Sequence, residues 1–306
     1  MYISAALITF MLEAFRGTPP PDNGTTAVSG TFTVVGTYCV PDDLSKNTLQ
    51  ILVHGITYGK DYWTGLGFGD EFDWHVAANA CGYATLIPQL NIDTFHYLLN
   101  SVRTFPANPL GRTFSKLVWV GHSYGSFLGS TLARQFPSDA DALVITGFST
   151  AGNFSGVLTA HWTAAAHHAP ALANLPAGYL TRATEANRTA VFYAGAFDPA
   201  LPPFDFRVEG TITVGEAAAI PVLPEAAPAY TGPVFIATGA QGVFFCGTIQ
   251  ADCDAKLAAS KHDFFPAVAD RDFGFFAPDQ TGHDLRLHLS APLTSGKVHD
   301  FLDAHL

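Results

Sequence analysis

The chain has 306 residues, of which 48% are hydrophobic and only 13% charged, with 25 Phe against 2 Met. Such a composition supplies a large, ring-rich core and excludes an intrinsically disordered protein. The formal net charge is −11 with no Lys/Arg cluster, which excludes nucleic acid and anionic membrane as partners, because both select a basic footprint.

At the N-terminus, Tyr2 to Leu12 is a short apolar run without a basic flank or a small-x-small cleavage site, and Glu13 follows at once. It reads as a docking helix rather than a secretion signal. It is too short to span a bilayer, which takes roughly 18 to 20 apolar residues, and no other segment is long enough either. Gly17 to Asn23 (GTPPPDN) reads as a Pro-rich linker that closes an N-terminal extension, residues 1–23. Thr31 to Val35 and Tyr38 to Val40 then have the alternation and β-branching of a half-exposed strand pair.

Apolar runs bounded by turn residues follow at Gln50–Val53, Tyr83–Ile87, Leu117–Val120, Ala142–Ile145 and Val234–Ala237, with a weaker one at Phe273–Ala277. Short runs without alternation suit strands buried on both faces, as in a parallel sheet. Segments of helical length lie between them at Asp73–Ala80, Thr94–Arg103 and Ser123–Gln135. The alternation predicts one α/β domain over residues 1–306, built on a doubly wound, mostly parallel sheet. The Ala- and Pro-rich stretch 151–231 breaks the rhythm before the penultimate strand and reads as a cap insertion. Within it, Thr213 and Glu216 have capping-box spacing.

The four cysteines, Cys39, Cys81, Cys246 and Cys253, permit no, one or two disulfides, and Cys246 and Cys253 are near enough in sequence to pair. No Cys/His spacing suits zinc. Glycosylation sequons start at Asn23, Asn153 and Asn187. The compartment stays open, with an intracellular setting preferred over a secreted one, and the oligomeric state is not legible.

Chemistry concentrates in three segments. The first is Gly121-His122-Ser123-Tyr124-Gly125 after an apolar strand and before a helix. A serine hydroxyl is a poor nucleophile unless a sharp turn exposes it to a base, and glycines two before and two after keep side chains out of that turn. The helix N-terminus behind it supplies N–H groups to a developing oxyanion. The second segment is the strand end Val53-His54-Gly55-Ile56, from which the Ile56 N–H would pair with that of Tyr124 as the oxyanion hole. The third is Thr281-Gly282-His283, after the last strand, where His283 is the candidate base.

Together these residues resemble a fungal α/β-hydrolase family of the AB hydrolase-1 type with a GHSYG nucleophile elbow. The resemblance runs from about Ser29 to His288. It rests on Tyr38-Cys39-Val40-Pro41, Leu49 to Tyr58 with Tyr62-Trp63, Gly121 to Ser126, Thr146-Gly147-Phe148, Gly215-Glu216, Phe245-Cys246 and Thr281 to His283. It implies an α/β-hydrolase fold and a serine-hydrolase scaffold, with Ser123 as nucleophile, His283 as base, Ile56 and Tyr124 as oxyanion donors, and no metal or organic cofactor.

Two departures stand against it. The family's triad acid belongs in a G-x-x-D-x-x-F-C frame, and here that frame, Gly239 to Cys246, has Gly242 where the Asp would be. Asp198 is the candidate replacement if the cap folds it inward; Asp252 and Asp254 are weaker ones. After Leu86, an Asp-Arg-Leu-Gly loop of the family is replaced by Ile87-Pro88-Gln89-Leu90.

The expected function is hydrolysis of an ester, lactone or thioester in an apolar small molecule. His54, Tyr58, Trp63 and Phe148 are candidate substrate contacts, and the rings, with Tyr124, suggest an aromatic or polyketide-like substrate, although core packing explains them equally well. The alternatives are a lyase, cyclase or isomerase that uses Ser123 and His283 as a proton shuttle, and a catalytically dead binding protein.

Overall fold

The short apolar runs become the middle of one sheet because each is covered on both faces. In the computed structural model, residues 4–15, 29–88, 92–153, 162–219, 225–247 and 250–306 are described. Eight strands form the main sheet: β1 (Ser4–Phe15), β2 (Ser29–Val40), β3 (Thr48–Val53), β4 (Ala84–Ile87), β5 (Lys116–His122), β6 (Ala142–Thr146), β10 (Val234–Ala237) and β11 (Phe273–Phe276). Their order is β1-β2-β4-β3-β5-β6-β10-β11. From β4 to β11 every pairing is parallel, while β2 runs antiparallel to both β1 and β4. Strands β3, β4 and β6 are buried along their whole length.

The connecting helices include α1 (Trp74–Ala80), α2 (Ile92–Thr104), α3 (Tyr124–Gln135), α7 (Gln250–Phe264) and α8 (Ala291–His305). Asp73 fixes the start of α1, its carboxylate accepting from the N–H groups of His75 and Val76, as expected of an N-cap acid. The disulfide between Cys246 and Cys253 is formed, and Cys39 and Cys81 are free thiols.

Two expectations for the N-terminal region are corrected. The run from Tyr2 to Leu12 is not a docking helix: Ser4–Phe15 is strand β1, paired in register with β2 from Ser4↔Val40 to Phe15↔Ser29. Left uncovered, the outer edge of β2 would present a row of unpaired N–H and C=O groups, and pairing satisfies them where a docked helix would not. The two half-exposed strands expected over residues 31–40 are one continuous strand. Gly36 lets β4 approach it, since a Cβ there would lie 3.0 Å from the Ile87 carbonyl oxygen. The expected linker, residues 17–23, lies outside the described residues.

Between β6 and β10 a second, antiparallel sheet has the order β7 (Trp162–Ala164), β8 (Tyr179–Arg182), β9 (Ile212–Thr213). It is accompanied by α4 (Glu185–Phe192), α5 (Leu201–Val208) and α6 (Val214–Ala219). Thr213 and Glu216 make the reciprocal bonds of a capping box at the start of α6. No helix among the described residues is long and apolar enough to cross a membrane.

Candidate active site

Strand β5 runs directly into α3, and the residue at the joint, Ser123, has φ 52° and ψ −112°. A non-glycine residue in this region carries strain of about 1–3 kcal/mol, which persists only where the surroundings over-determine it. Here the Ser123 N–H donates to the Thr146 carbonyl at 2.8 Å, and its own carbonyl accepts from the N–H groups of Ser126 and Phe127. The flanking glycines are a steric requirement. A Cβ on Gly121 would lie 2.4 Å from the Gly125 carbonyl oxygen, and one on Gly125 would lie 2.1 Å from that of Val53.

His283 follows β11 on a buried loop, and its Nε2 lies 2.9 Å from Ser123 Oγ. Rings enclose it: Phe192 stacks at 5.9 Å, Phe244 meets it edge-on at 4.7 Å, and Phe245 lies 5.8 Å away. Burial, reinforced by the neighbouring His122, lowers its pKa from 6.5 to about 3. The imidazole is therefore neutral at neutral pH and free to accept a proton. Gly147, at φ +59°, packs against the His122 and His283 rings and leaves no room for a side chain.

The weak point is the other ring nitrogen. If Nε2 accepts from the serine, Nδ1 must carry the hydrogen, yet Nδ1 is buried without a hydrogen-bond partner. An unsatisfied buried donor costs about 1–3 kcal/mol, so the tautomer that activates Ser123 is disfavoured. Gly242 lies next to the His283 backbone. A Cβ built on Gly242 would stand 3.6 Å from the His283 Cα and 3.7 Å from its backbone nitrogen.

Asp198 does not fill that gap, which corrects the expectation for it. It is exposed, and its Oδ1 accepts from the Ala200 N–H at 2.8 Å, the bond of a turn former before α5. Asp252 is exposed on α7. The carboxylate that does approach His283 is its sequence neighbour Asp284. One donor atom from each of His122, His283 and Asp284 lies within 4.8 Å of the other two.

These three residues have cation-ligating atoms, of which all but His283 Nδ1 already hold hydrogen bonds among the described residues. His122 Nε2 lies 3.1 Å from Asp284 Oδ1, and the Tyr58 hydroxyl bonds Asp284 Oδ2. Burial first, then the charge of Asp205, raises the Asp284 carboxyl to about 6.

Behind Asp284 lies a buried polar network that no sequence motif announces. The Tyr58 hydroxyl also reaches Asp205 Oδ2 at 2.9 Å, as does the Tyr193 hydroxyl at 3.0 Å. Arg188 grips Asp205 with two bonds of 2.8 Å, and its Nη1 bonds Glu209 Oε2 and Thr57 Oγ1, each at 2.9 Å. Arg188, Asp205 and Glu209 all come from the inserted segment, whereas Thr57, Tyr58 and Asp284 belong to the main domain. The network therefore ties the two together.

Ile56 and Tyr124 line an open pocket of about 250 Å³ together with Gly55, Tyr179, Ile212 and Glu216. The backbone N–H groups of Ile56 and Tyr124 have no protein acceptor among the described residues, as expected of a loop and a first helical turn that face a site. His54 also lines this pocket, with Nδ1 2.9 Å from the Gly55 carbonyl oxygen.

The rings expected at the entrance divide differently. Tyr124 lines the pocket, but Tyr58, Trp63 and Phe148 are 4%, 0% and 0% exposed. Tyr58 is held in the polar network, Trp63 packs edge-on against Trp74, and Phe148 sits among Phe127, Phe245 and Phe264. Core packing accounts for all three.

No protein-family profile matches the chain, and no curated protein sequence matches it. Solved structures do. Est1E from Butyrivibrio proteoclasticus, solved with ferulic acid bound, superposes with a TM-score of 0.53 at 13% identity, over 89% of this chain and 95% of that one. The epoxide hydrolase VrEH1 from Vigna radiata gives 0.52 at 12% identity, covering 97% and 98%. The esterase domain of a Rhodothermus marinus protein gives 0.51 at 14% identity, covering 98% and 99%. The chain has the α/β-hydrolase fold.

Proposed function

We propose that the protein is a serine hydrolase that cleaves an ester, thioester or lactone of an apolar small molecule, and that it works with an incomplete triad. The reading is carried by the 2.9 Å contact between Ser123 Oγ and His283 Nε2 at a left-handed elbow, where fold alone would not require a hydroxyl. His283 takes the serine proton as Oγ attacks the carbonyl carbon, and the oxyanion that develops sits on the N–H groups of Ile56 and Tyr124. The protonated His283 returns its proton to the leaving alcohol or thiol. Water, activated by the same imidazole, then releases the acid and frees Ser123.

The inserted sheet β7-β8-β9 serves as the cap in this reading, which rests on Tyr179 of β8 and Ile212 of β9 lining the same pocket as Ile56 and Tyr124. Esterase and hydrolase neighbours agree with this reading, and one of them holds an aromatic acid.

A second reading, motivated by the unpartnered His283 Nδ1, has Ser123 and His283 only shuttle a proton in a lyase or isomerase. Turnover of 4-nitrophenyl butyrate in heavy-oxygen water separates the two. Hydrolysis predicts one heavy oxygen in the released butyrate and loss of activity in Ser123→Ala. A folded protein with no turnover above that variant, on this and on thioester and lactone probes, contradicts it.

A further inference from the structure

Arg182 ends β8 on the inserted sheet and is 0% exposed, yet Nε and both Nη atoms are buried without a single hydrogen-bond partner. A guanidinium carries five donors in a planar fork. Among the described residues, no other arginine has all its side-chain nitrogens left this way. Its Cζ lies 4.1 Å from the centre of the Trp162 ring, a cation–π contact. The same Cζ is 5.6 Å from the Phe192 ring, which also meets Arg188 at 4.9 Å and stacks on His283 at 5.9 Å. Arg182 therefore stands one ring away from the base.

The nearby acids do not serve it. Asp205 is gripped by Arg188 and Asp284 is bound by His122 and Tyr58, while Glu209 gives Oε2 to Arg188 and leaves Oε1 buried without a hydrogen bond, to Arg182 or to any other group. Burial and Arg188 lower the Arg182 pKa to about 10; Glu209 and Asp284 partly offset this cost of burying the charge, but they leave its donors empty. A purely structural cation would be expected to use them.

We propose that Arg182 is a recognition point for a carboxylate on the substrate, so that the preferred substrate is an aromatic or apolar ester that also carries an acid group. A carboxylate matches the fork with two parallel bonds, and in a buried site such charge-assisted pairs are the strong ones. This rests on reading Ser123 as the reacting centre, and it narrows the substrate class of that site.

The test is binding, in Ser123→Ala protein, of 4-phenylbutyrate against its neutral isostere 4-phenylbutanamide, by calorimetry at pH 7.5. The expected result is that the carboxylate binds at least about tenfold tighter than the amide, a discrimination of the size charge-assisted bonds supply. In Arg182→Met the ratio falls to about one with amide binding unchanged, while Arg182→Lys, which keeps the charge but not the fork, retains only part of it.

Equal affinity for acid and amide in the Ser123→Ala protein overturns the proposal, as does an unchanged ratio in a folded Arg182→Met variant. If Arg182→Met does not fold, the ratio in Ser123→Ala protein and the Arg182→Lys result decide. The readout involves no turnover, so acid selectivity without hydrolysis would count against the hydrolase reading alone. Hydrolysis without acid selectivity would count against the role of Arg182 alone.

Discussion

If Ser123 and His283 act as proposed, replacing Gly242 by Asp should raise the rate of ester hydrolysis. The backbone there is held by its turn, with the N–H bonded to the Gly239 carbonyl and the carbonyl accepting from Cys246 and Gly247. Its φ lies outside the left-handed range, so an L side chain is not strained by conformation. The tightest contact of the new Cβ would be 3.0 Å to the Gly239 carbonyl oxygen, which requires a shift of a few tenths of an ångström. That Cβ would stand 3.6 Å from the His283 Cα, and His283 Nδ1 has no partner.

Losing the orienting acid costs a serine hydrolase about 10⁴ in turnover. A site not refined around the new group should recover part of this, about 10²–10³ in kcat/KM, or about 3–4 kcal/mol of transition-state stabilisation. The carboxylate should also raise His283 from about 3. Because the neutral imidazole is the active form, the acid limb of the pH–rate profile should move upward. The assay is hydrolysis of 4-nitrophenyl butyrate from pH 4 to 9, with Gly242→Asn as the control of equal size and no charge. A folded Gly242→Asp protein no faster than Gly242→Asn would refute the assignment of the gap beside His283.

Four other outcomes follow from the same structure. Ser123→Gly should be more stable than Ser123→Ala by about 1 kcal/mol in urea melts, because both lack the hydroxyl but only glycine relieves the φ of 52°; equal stability would mean the elbow is unstrained. Burial lowers His75 and His299 to about 4, and His122 and His283 to about 3, all from 6.5. The unfolded chain therefore binds protons first, and stability present above pH 6.5 should be lost as pH falls toward 4, by up to about 1.4 kcal/mol per pH unit for each histidine. Asp284, raised from 3.8 to about 6, opposes this with a single proton over pH 3.8 to 6; a flat urea midpoint between pH 7.5 and 5 contradicts the burial of these rings. Asp205→Asn should destabilise by about 3–5 kcal/mol, since it leaves the buried Arg188 without its main partner, and a loss below 1 kcal/mol would show the network to be solvated. Replacing both Cys246 and Cys253 by Ala should cost about 2 kcal/mol and lower activity, because Cys246 adjoins the two phenylalanines packed on His283; unchanged activity would detach that loop from the site.

The parallel strands were legible because burial on both faces leaves a continuous apolar run, and the structured ends of β3 to β6 and β10 fall within a few residues of those runs. The elbow was legible for a steric reason, since only glycine fits at 121 and 125. Strand β1 was not, because its strand formers Ile8, Thr9, Phe10 and Phe15 are mixed with Ala, Leu, Met and Glu, and what makes residues 4–15 extended is the ladder with β2, a contact local patterning does not encode. Burial misled in the other direction for Tyr58, Trp63 and Phe148: an aromatic beside a motif reads the same whether it lines a pocket or fills the core. The side chains of Arg188, Asp205 and Asp284 hydrogen-bond to partners from 12 to 226 positions apart, and no spacing rule reaches that far. Asp284 was visible only as the residue after His283.

The central claim is that Ser123 is an activated nucleophile, and covalent labelling tests it most directly. Treatment with a fluorophosphonate, followed by intact mass and peptide mapping, should give a single adduct on Ser123, faster at pH 8 than at pH 3 and absent from Ser123→Ala. A folded protein that takes up no adduct, or takes it up on another residue with Ser123 unmodified, would contradict the account.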